Sequence, residues 1–334
     1  MLNKKPSAAR LIASSLFAVI VLAASTWLIS NRQYALDQVN VWQYKPTSAV
    51  QTIASRSGMN DNGRFYFYAS LPAVETAAKF NQECQRQELG NAILGCYTNR
   101  RVFVYGVMNA SLDGIEEVTA AHEMLHAAWD RLSDSDKQYV SGLLESQYNQ
   151  INDPKLIERM SYYSRTEPGE RSNELHSIIG TEIANLNPEL EAYYGRYFSG
   201  RQSLVALHTT YNSVFTTLDS QAKTLAAELK VLVDSVNVGV ARYNADVAEL
   251  SQEIADLNAS ASSVDRTSSS AVRAYNAKRS ELLVRVNQLD VSRSTIDSKT
   301  ADYKAKLIQY NQLVVRSNAL TSSIDSSLTP APSL

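Results

Sequence analysis

The stretch AAHEMLHAAW, residues 120–129, sets His122 and His126 four positions apart around Glu123, in a chain of 334 residues with only four histidines. On a helix, residues i and i+4 project from one face. Both imidazoles then reach tetrahedral ligand distance around one zinc ion. Glu123 lies between them, angled towards a water on the metal. Zinc lowers that water's pKa towards neutrality, and the carboxylate takes its proton as the water attacks a peptide carbonyl. The same acid then protonates the leaving amine. Ala120, Ala121, Ala127 and Ala128 flank the motif with small side chains that let neighbouring elements approach.

This stretch resembles the zinc-binding helix of the zincin metallopeptidases. His126 is followed by AAWDRLS, so the longer HExxHxxGxxH pattern of the metzincins is missing. Gluzincins instead take a glutamate from a later helix. Downstream, SNELHSIIGTEIANLNPELEAYY (172–194) contains Glu174, His176 and Glu182. Glu174 opens Glu-x-x-Ser, similar to the Glu-x-x-small ligand motif of gluzincins, including the lethal-factor-like branch. Pro188-Glu189-Leu190 with Tyr193-Tyr194 resembles the segment after that helix in some members. The resemblance spans about residues 100–195. It implies His122, His126 and Glu174 as zinc ligands, Glu123 as catalytic base, and a protein or peptide substrate.

Helical geometry pulls towards a different third ligand. Leu175, Ile178, Ile179, Ile183 and Leu186 form one apolar stripe, with Glu182 near its centre and Glu174 at its edge. Glu174 is nevertheless taken as the ligand, because Ser177 three positions on allows close helix packing. Glu182 is then expected to hydrogen-bond a ligating histidine. Tyr162, Tyr163 and His176 are alternative donors to a developing oxyanion. His208 is expected at the surface.

The elements that must position these residues follow from local signals. Asp113 and Glu116 form an Asp-x-x-Glu box that would start the motif helix. Further helices are predicted over 136–150, from Asp153-Pro154, and over 172–186, with a loop at 164–171. Upstream, residues 31–63 read as a juxtamembrane helix and a turn at Asn60–Gly63. RFYFYAS (64–70) and RVFVYGV (101–107) read as strands, the second as an edge where a peptide substrate pairs. Residues 74–85 between them have helical spacing. The expected fold is α+β, a mostly helical domain with a short sheet over 31–199.

Beyond it the pattern changes. Phe215, Ala222, Leu229, Val236, Tyr243, Leu250 and Leu257 recur every seventh residue. So do Tyr275, Leu282, Leu289, Ile296, Tyr303 and Tyr310, after the Ser-rich break ASASSVDRTSSS (259–270). Such heptads mean coiled coil, expected over 200–328 as an antiparallel hairpin, with a disordered tail at 329–334. Pairing Tyr211 with Tyr310 and Tyr243 with Tyr275 puts the fold-back near residue 260. A parallel dimer is the alternative.

Thirty-two basic and 34 acidic residues, net charge −2, exclude a nucleic-acid partner of the usual electrostatic kind. Residues 11–30 are uncharged and follow Lys4, Lys5 and Arg10. The expectation is a transmembrane signal anchor with residues 1–10 cytoplasmic and the rest extracytoplasmic. The alternative is a signal peptide cleaved near Ala23-Ala24-Ser25. Cys84 and Cys96, twelve apart, are expected to bond in a non-reducing compartment. Together these readings describe a membrane-anchored zinc metallopeptidase of a bacterial envelope. Its coil would engage a protein partner or a second copy. The alternative is a non-catalytic structural tether with a vestigial or structural zinc site.

Overall fold

A computed structural model describes residues 8–84 and 93–324. Lys4 and Lys5, most of the loop between the cysteines, and the tail from residue 325 lie outside them. Helix α1 (Ala8–Ser30) contains the one segment, Ile12–Ser30, long and apolar enough to cross a membrane among the described residues, and none of it is buried. Helices α2 (Arg32–Gln43) and α3 (Ser48–Arg56) follow.

Of residues 64–70, expected as a strand, 64–69 belong to helix α4 (Asp61–Ala69) and Ser70 is its C-cap. Aromatic content favours strands only weakly against tertiary context, and here a cap decides. The Asn60 side chain accepts from the backbone N–H groups of Asn62 and Gly63, which starts the helix. Gly63 also lies so close to the Tyr197 carbonyl that a Cβ would sit 2.3 Å from its oxygen. The Asn-Asp-Asn-Gly cluster is thus a helix start docked on another segment, not a free turn.

Strand β1 (Ala73–Glu75), helix α5 (Ala77–Glu83), β2 (Gly95–Thr98) and β3 (Arg101–Tyr105) come next. The sheet order is β1-β3-β2, with β1 parallel and β2 antiparallel to β3. β3 is therefore central, which corrects its expected place at the edge. Residues 73–75, just ahead of α5, take its other side, pairing with Phe103–Tyr105. β2 is the outer strand. Cys84 and Cys96 are disulfide-bonded, tying the end of α5 to β2.

Helix α6 (Ile115–Asp130) carries the HExxH motif through the middle of the core, with twelve of its sixteen residues buried. The expected capping box does not form. Gly114 precedes the helix at φ 95°, a left-handed conformation that suits glycine. Asp113 instead pairs with Arg56 at 2.7 Å, and Glu116 accepts the Val107 N–H at 2.7 Å. Helices α7 (Asp134–Tyr148), α8 (Pro154–Thr166), α9 (Arg171–Glu182) and α10 (Pro188–Tyr194) complete the domain.

α9 lies directly against α6. A Cβ on Gly180 would come within 2.6 Å of both Leu125 Cδ1 and the Tyr194 ring. α9 ends at Glu182, four residues short of expectation, and Arg201 takes the carbonyls that follow it. The guanidinium donates to Ile183 O at 2.6 Å and Ala184 O at 3.0 Å, a basic cap on a helix C-terminus.

Helices α11 (Arg201–Ser260) and α12 (Ser269–Ile324) are separated by the Ser-rich break. The chain divides into two compact units at Val214/Phe215 in α11 and Ala319/Leu320 in α12, so the first turns of α11 belong with the domain that carries the motif helix. Within the second unit the arms run antiparallel. Lys306 pairs with Glu228 at 2.5 Å, and Lys299 donates to Ser235 at 2.6 Å. Arg285 lies between Glu249 and Glu253. Residues of both heptad series, from Ala222 to Leu257 and from Tyr275 to Tyr310, are buried or half-buried. The expected register is corrected, however. The pairs of Lys299 and Lys306 are both centred on Thr267 rather than residue 260. The packing of Ile296 against Gly239 follows the same register, which the spacing of Tyr-Asn dipeptides does not reveal.

Candidate metal centre

The core position of α6 and the close approach of α9 bring three donors together. His126 Nε2 lies 3.5 Å from Glu174 Oε1, and His122 Nε2 lies 3.9 Å from Glu174 Oε2. All three ligand atoms fall within 4.8 Å of one another. A tetrahedral zinc ion about 2.0–2.2 Å from each ligand spaces its ligands roughly 3.3–3.6 Å apart, so this triad fits with small adjustments. Glu174 is 5% exposed, and its Oε2 has no hydrogen-bond partner. A buried carboxylate oxygen without a donor wants a cation.

The orientation of His126 is set from behind. Asn173 Nδ2 donates to Glu170 Oε2 at 2.9 Å, which fixes the amide and leaves Asn173 Oδ1 facing His126 Nδ1 at 2.8 Å. An amide oxygen can only accept, so Nδ1 carries the proton and Nε2 offers its lone pair towards Glu174. The Ser177 hydroxyl lies 3.2 Å from the same Nδ1. Ser177, expected only as a small packing residue, therefore also touches a candidate ligand. Asn173 was not singled out from the sequence. The signal is its place next to Glu174, which brings it to the face of α6.

Glu123 lies beside the triad, 5% exposed, on the wall of a cavity of about 730 Å³ shared with His122, His126 and Glu174. β2 passes directly over it. A Cβ on Gly95 would come within 2.6 Å of Glu123 Oε1, so only glycine leaves the carboxylate its place. Burial raises Glu123 to about 8, with Glu174 adding to the rise. A divalent cation beside it would draw that value down again. Burial holds His122 well below its usual range, in the neutral form a metal requires. For His126 burial acts downward, but the carboxylates of Glu174 and Glu123 prevail and raise it. Burial also raises Glu174.

Glu182 does not touch a ligating histidine, which corrects the expectation. Arg159 of α8 holds both its oxygens, at 2.9 and 2.7 Å, and His208 Nε2 lies 3.4 Å from Oε2. The place beside His126 belongs to Asn173 and Ser177. His208 is accordingly half-buried rather than a free surface residue. Of the three oxyanion candidates, Tyr162 and Tyr163 line the cavity, and Tyr163 faces Glu174. His176 does not line it. It is fully buried, 2.9 Å from the Tyr193 hydroxyl through Nε2, between Trp129 and Tyr194.

That burial has a pH consequence. Desolvation lowers His176 from 6.5 to about 3, so below pH 6.5 the unfolded chain takes a proton that the folded protein refuses. The stability present above 6.5 is lost as pH falls towards 3, at about 1.4 kcal/mol per pH unit. Denaturant unfolding between pH 6.5 and 4.5 should give a slope that drops by about this amount in His176→Gln, since the opposing contribution of the raised Glu123 is common to both proteins. An unchanged slope would contradict it.

No protein-family model, no curated protein and no solved structure matches this chain.

Proposed function

We propose that this protein is a membrane-anchored, extracytoplasmic zinc peptidase. One observation carries the reading: His122, His126 and Glu174 converge on one wall of a cavity, with the Glu123 carboxylate beside them. Bound zinc supplies the Lewis acidity that makes water a nucleophile near neutral pH. Glu123 accepts the proton of the attacking water and returns it to the leaving nitrogen. The Tyr163 phenol, kept protonated by burial, and the Tyr162 phenol are the donors available to the carbonyl oxygen. β2 lines the same cavity through Gly95, Cys96 and Tyr97, and as an outer strand it can add an extended peptide. The disulfide and the basic residues ahead of α1 support export.

The test is metal analysis and cleavage of an unfolded protein by the detergent-solubilised full chain. One zinc per chain and chelator-sensitive cleavage are expected. Zinc affinity should collapse in Glu174→Ala and fall about 10- to 100-fold in Asn173→Ala, the size of losing a hydrogen bond behind a ligand. It should hold in Glu182→Ala. Retention of full affinity by Glu174→Ala, or zinc without cleavage, would leave the structural tether as the better reading.

A further inference from the structure

We propose that the substrate is a chain anchored in the same membrane through its N-terminal side and cut about five to ten residues beyond the bilayer. The proposal rests on the peptidase and anchor readings above. α1 passes into α2 across the single residue Asn31, and helical hydrogen bonds continue through it. The Asn31 N–H donates to Trp27 O at 2.8 Å, and the Ala35 N–H donates to Asn31 O at 2.9 Å. No linker separates the apolar segment from the domain. α2 is then fastened along one side. Gln33 accepts from Arg100 and Asp37 from Arg131, while Asn40 donates to Ala69 O at 3.0 Å and Tyr44 to Pro72 O at 2.5 Å. Positions 33, 37, 40 and 44 fall on one helix face, so the domain is held to α2 over its whole length.

The same contacts orient the outer strand. Arg100, in the turn after β2, meets α2 at Gln33, three residues past Ser30. Tyr97, earlier in β2, connects to α2 one turn further out, because its hydroxyl accepts from Arg131, which holds Asp37. Gly95 lies over Glu123. β2 therefore runs from the cavity towards the membrane end of α2. Gln33 is ~4.5 Å along the helix axis from Ser30. The five residues from Gly95 to Arg100 span roughly 17 Å, and an extended peptide beside them needs as many. The reach from Arg100 to Gln33 adds one side-chain length, which gives the distance of the cut from the bilayer. Antiparallel pairing is the more stable. It sets the N-terminal side of the peptide beside Thr98 and carries the chain towards Gly95 and the metal, so the substrate's anchor precedes the cut.

The test uses the zinc-loaded full-length protein in phosphatidylcholine vesicles. The probe is a polypeptide of about 40 residues, mixed in sequence and too polar to fold. It carries a diacyl lipid at its N-terminus, at its C-terminus or at neither end, and cut positions are read by mass spectrometry. With the N-terminal lipid, cuts should gather about five to ten residues from the tether. Turnover should exceed that of the lipid-free probe by about tenfold to a hundredfold, because a shared bilayer raises effective concentration. A flexible Gly-Ser linker of about 12 residues inserted after Ser30 should move the window outward and widen it. Zinc content and turnover of the lipid-free probe should not change in that variant, which shows its domain intact. One cut pattern common to tethered and lipid-free probes, or a window unmoved by the linker, would overturn the proposal and leave the peptidase reading standing. A window with the C-terminal lipid alone would overturn the antiparallel direction. Zinc-loaded protein that cuts none of the three probes would refute the peptidase reading, and recovery of a chain lacking α1 from membranes would refute the anchor, and this proposal falls with either.

Discussion

Glu123→Gln is expected to keep one zinc per chain and to lower peptide hydrolysis by about 10²- to 10⁴-fold, the range of general-base catalysis. Glutamine has nearly the shape of glutamate, so it fits beneath Gly95, where any larger departure would collide with the strand. Both imidazoles and Glu174 stay as they are. What is lost is the lone pair that takes the water's proton, since an amide oxygen near neutral pH is no base. Metal analysis and turnover measured on the same sample separate the two effects. Zinc retained with full turnover would remove Glu123 from the mechanism. Zinc lost with turnover would show that the carboxylate is needed to hold the cation.

The largest stability effect is expected far from the metal, in Asp37→Ala. Asp37, 2% exposed on α2, accepts from Arg131 Nε and Nη2, both at 2.8 Å. Arg131 directly follows α6 and also donates to Ala127 O at 2.7 Å and Tyr97 Oη at 3.2 Å. One guanidinium thus joins α2, the end of the motif helix and the outer strand. Removing its carboxylate leaves a buried, uncompensated charge, at a cost of about 3–5 kcal/mol. Urea unfolding of the solubilised protein should show it. The double variant Asp37→Leu/Arg131→Met should regain much of the loss, because two apolar groups leave no charge unpaired. A loss below about 1 kcal/mol in Asp37→Ala would mean the pair behaves like an exposed surface bridge.

The clustering of His122, His126 and Glu174 was legible because each part has a local signature. The i, i+4 histidines need only a helix, and Glu174 was separated from Glu182 by one small residue, Ser177, whose place against His126 the structure shows. Glu182 was misplaced because a helical wheel reports burial but not the buried partner. Arg159, 23 residues earlier on another helix, is that partner. The same limit explains residues 64–70. Alternating aromatics suited a strand, but the cap at Asn60 and the contact with Tyr197 are set partly by chain 135 residues away. The central position of β3 depended on three residues, Ala73–Glu75, too few to read as a strand. The heptads were plain in the sequence. Their register was not, because it depends on which residues meet across the seam.

Those seam charges have a mechanical meaning. Two arms joined only by leucines and tyrosines every seventh residue would fit nearly as well after sliding one heptad. Here a slide of seven residues would take Lys306 off Glu228 and set it against Gln221 or Ser235. The hairpin of residues 215–319 therefore has one closure, like a zip whose teeth are cut unevenly. A slide of one arm past the other would break these pairs together, each adding up to about 1 kcal/mol of resistance. High salt, which screens half-exposed pairs of this kind, would loosen that grip while leaving the helices themselves intact.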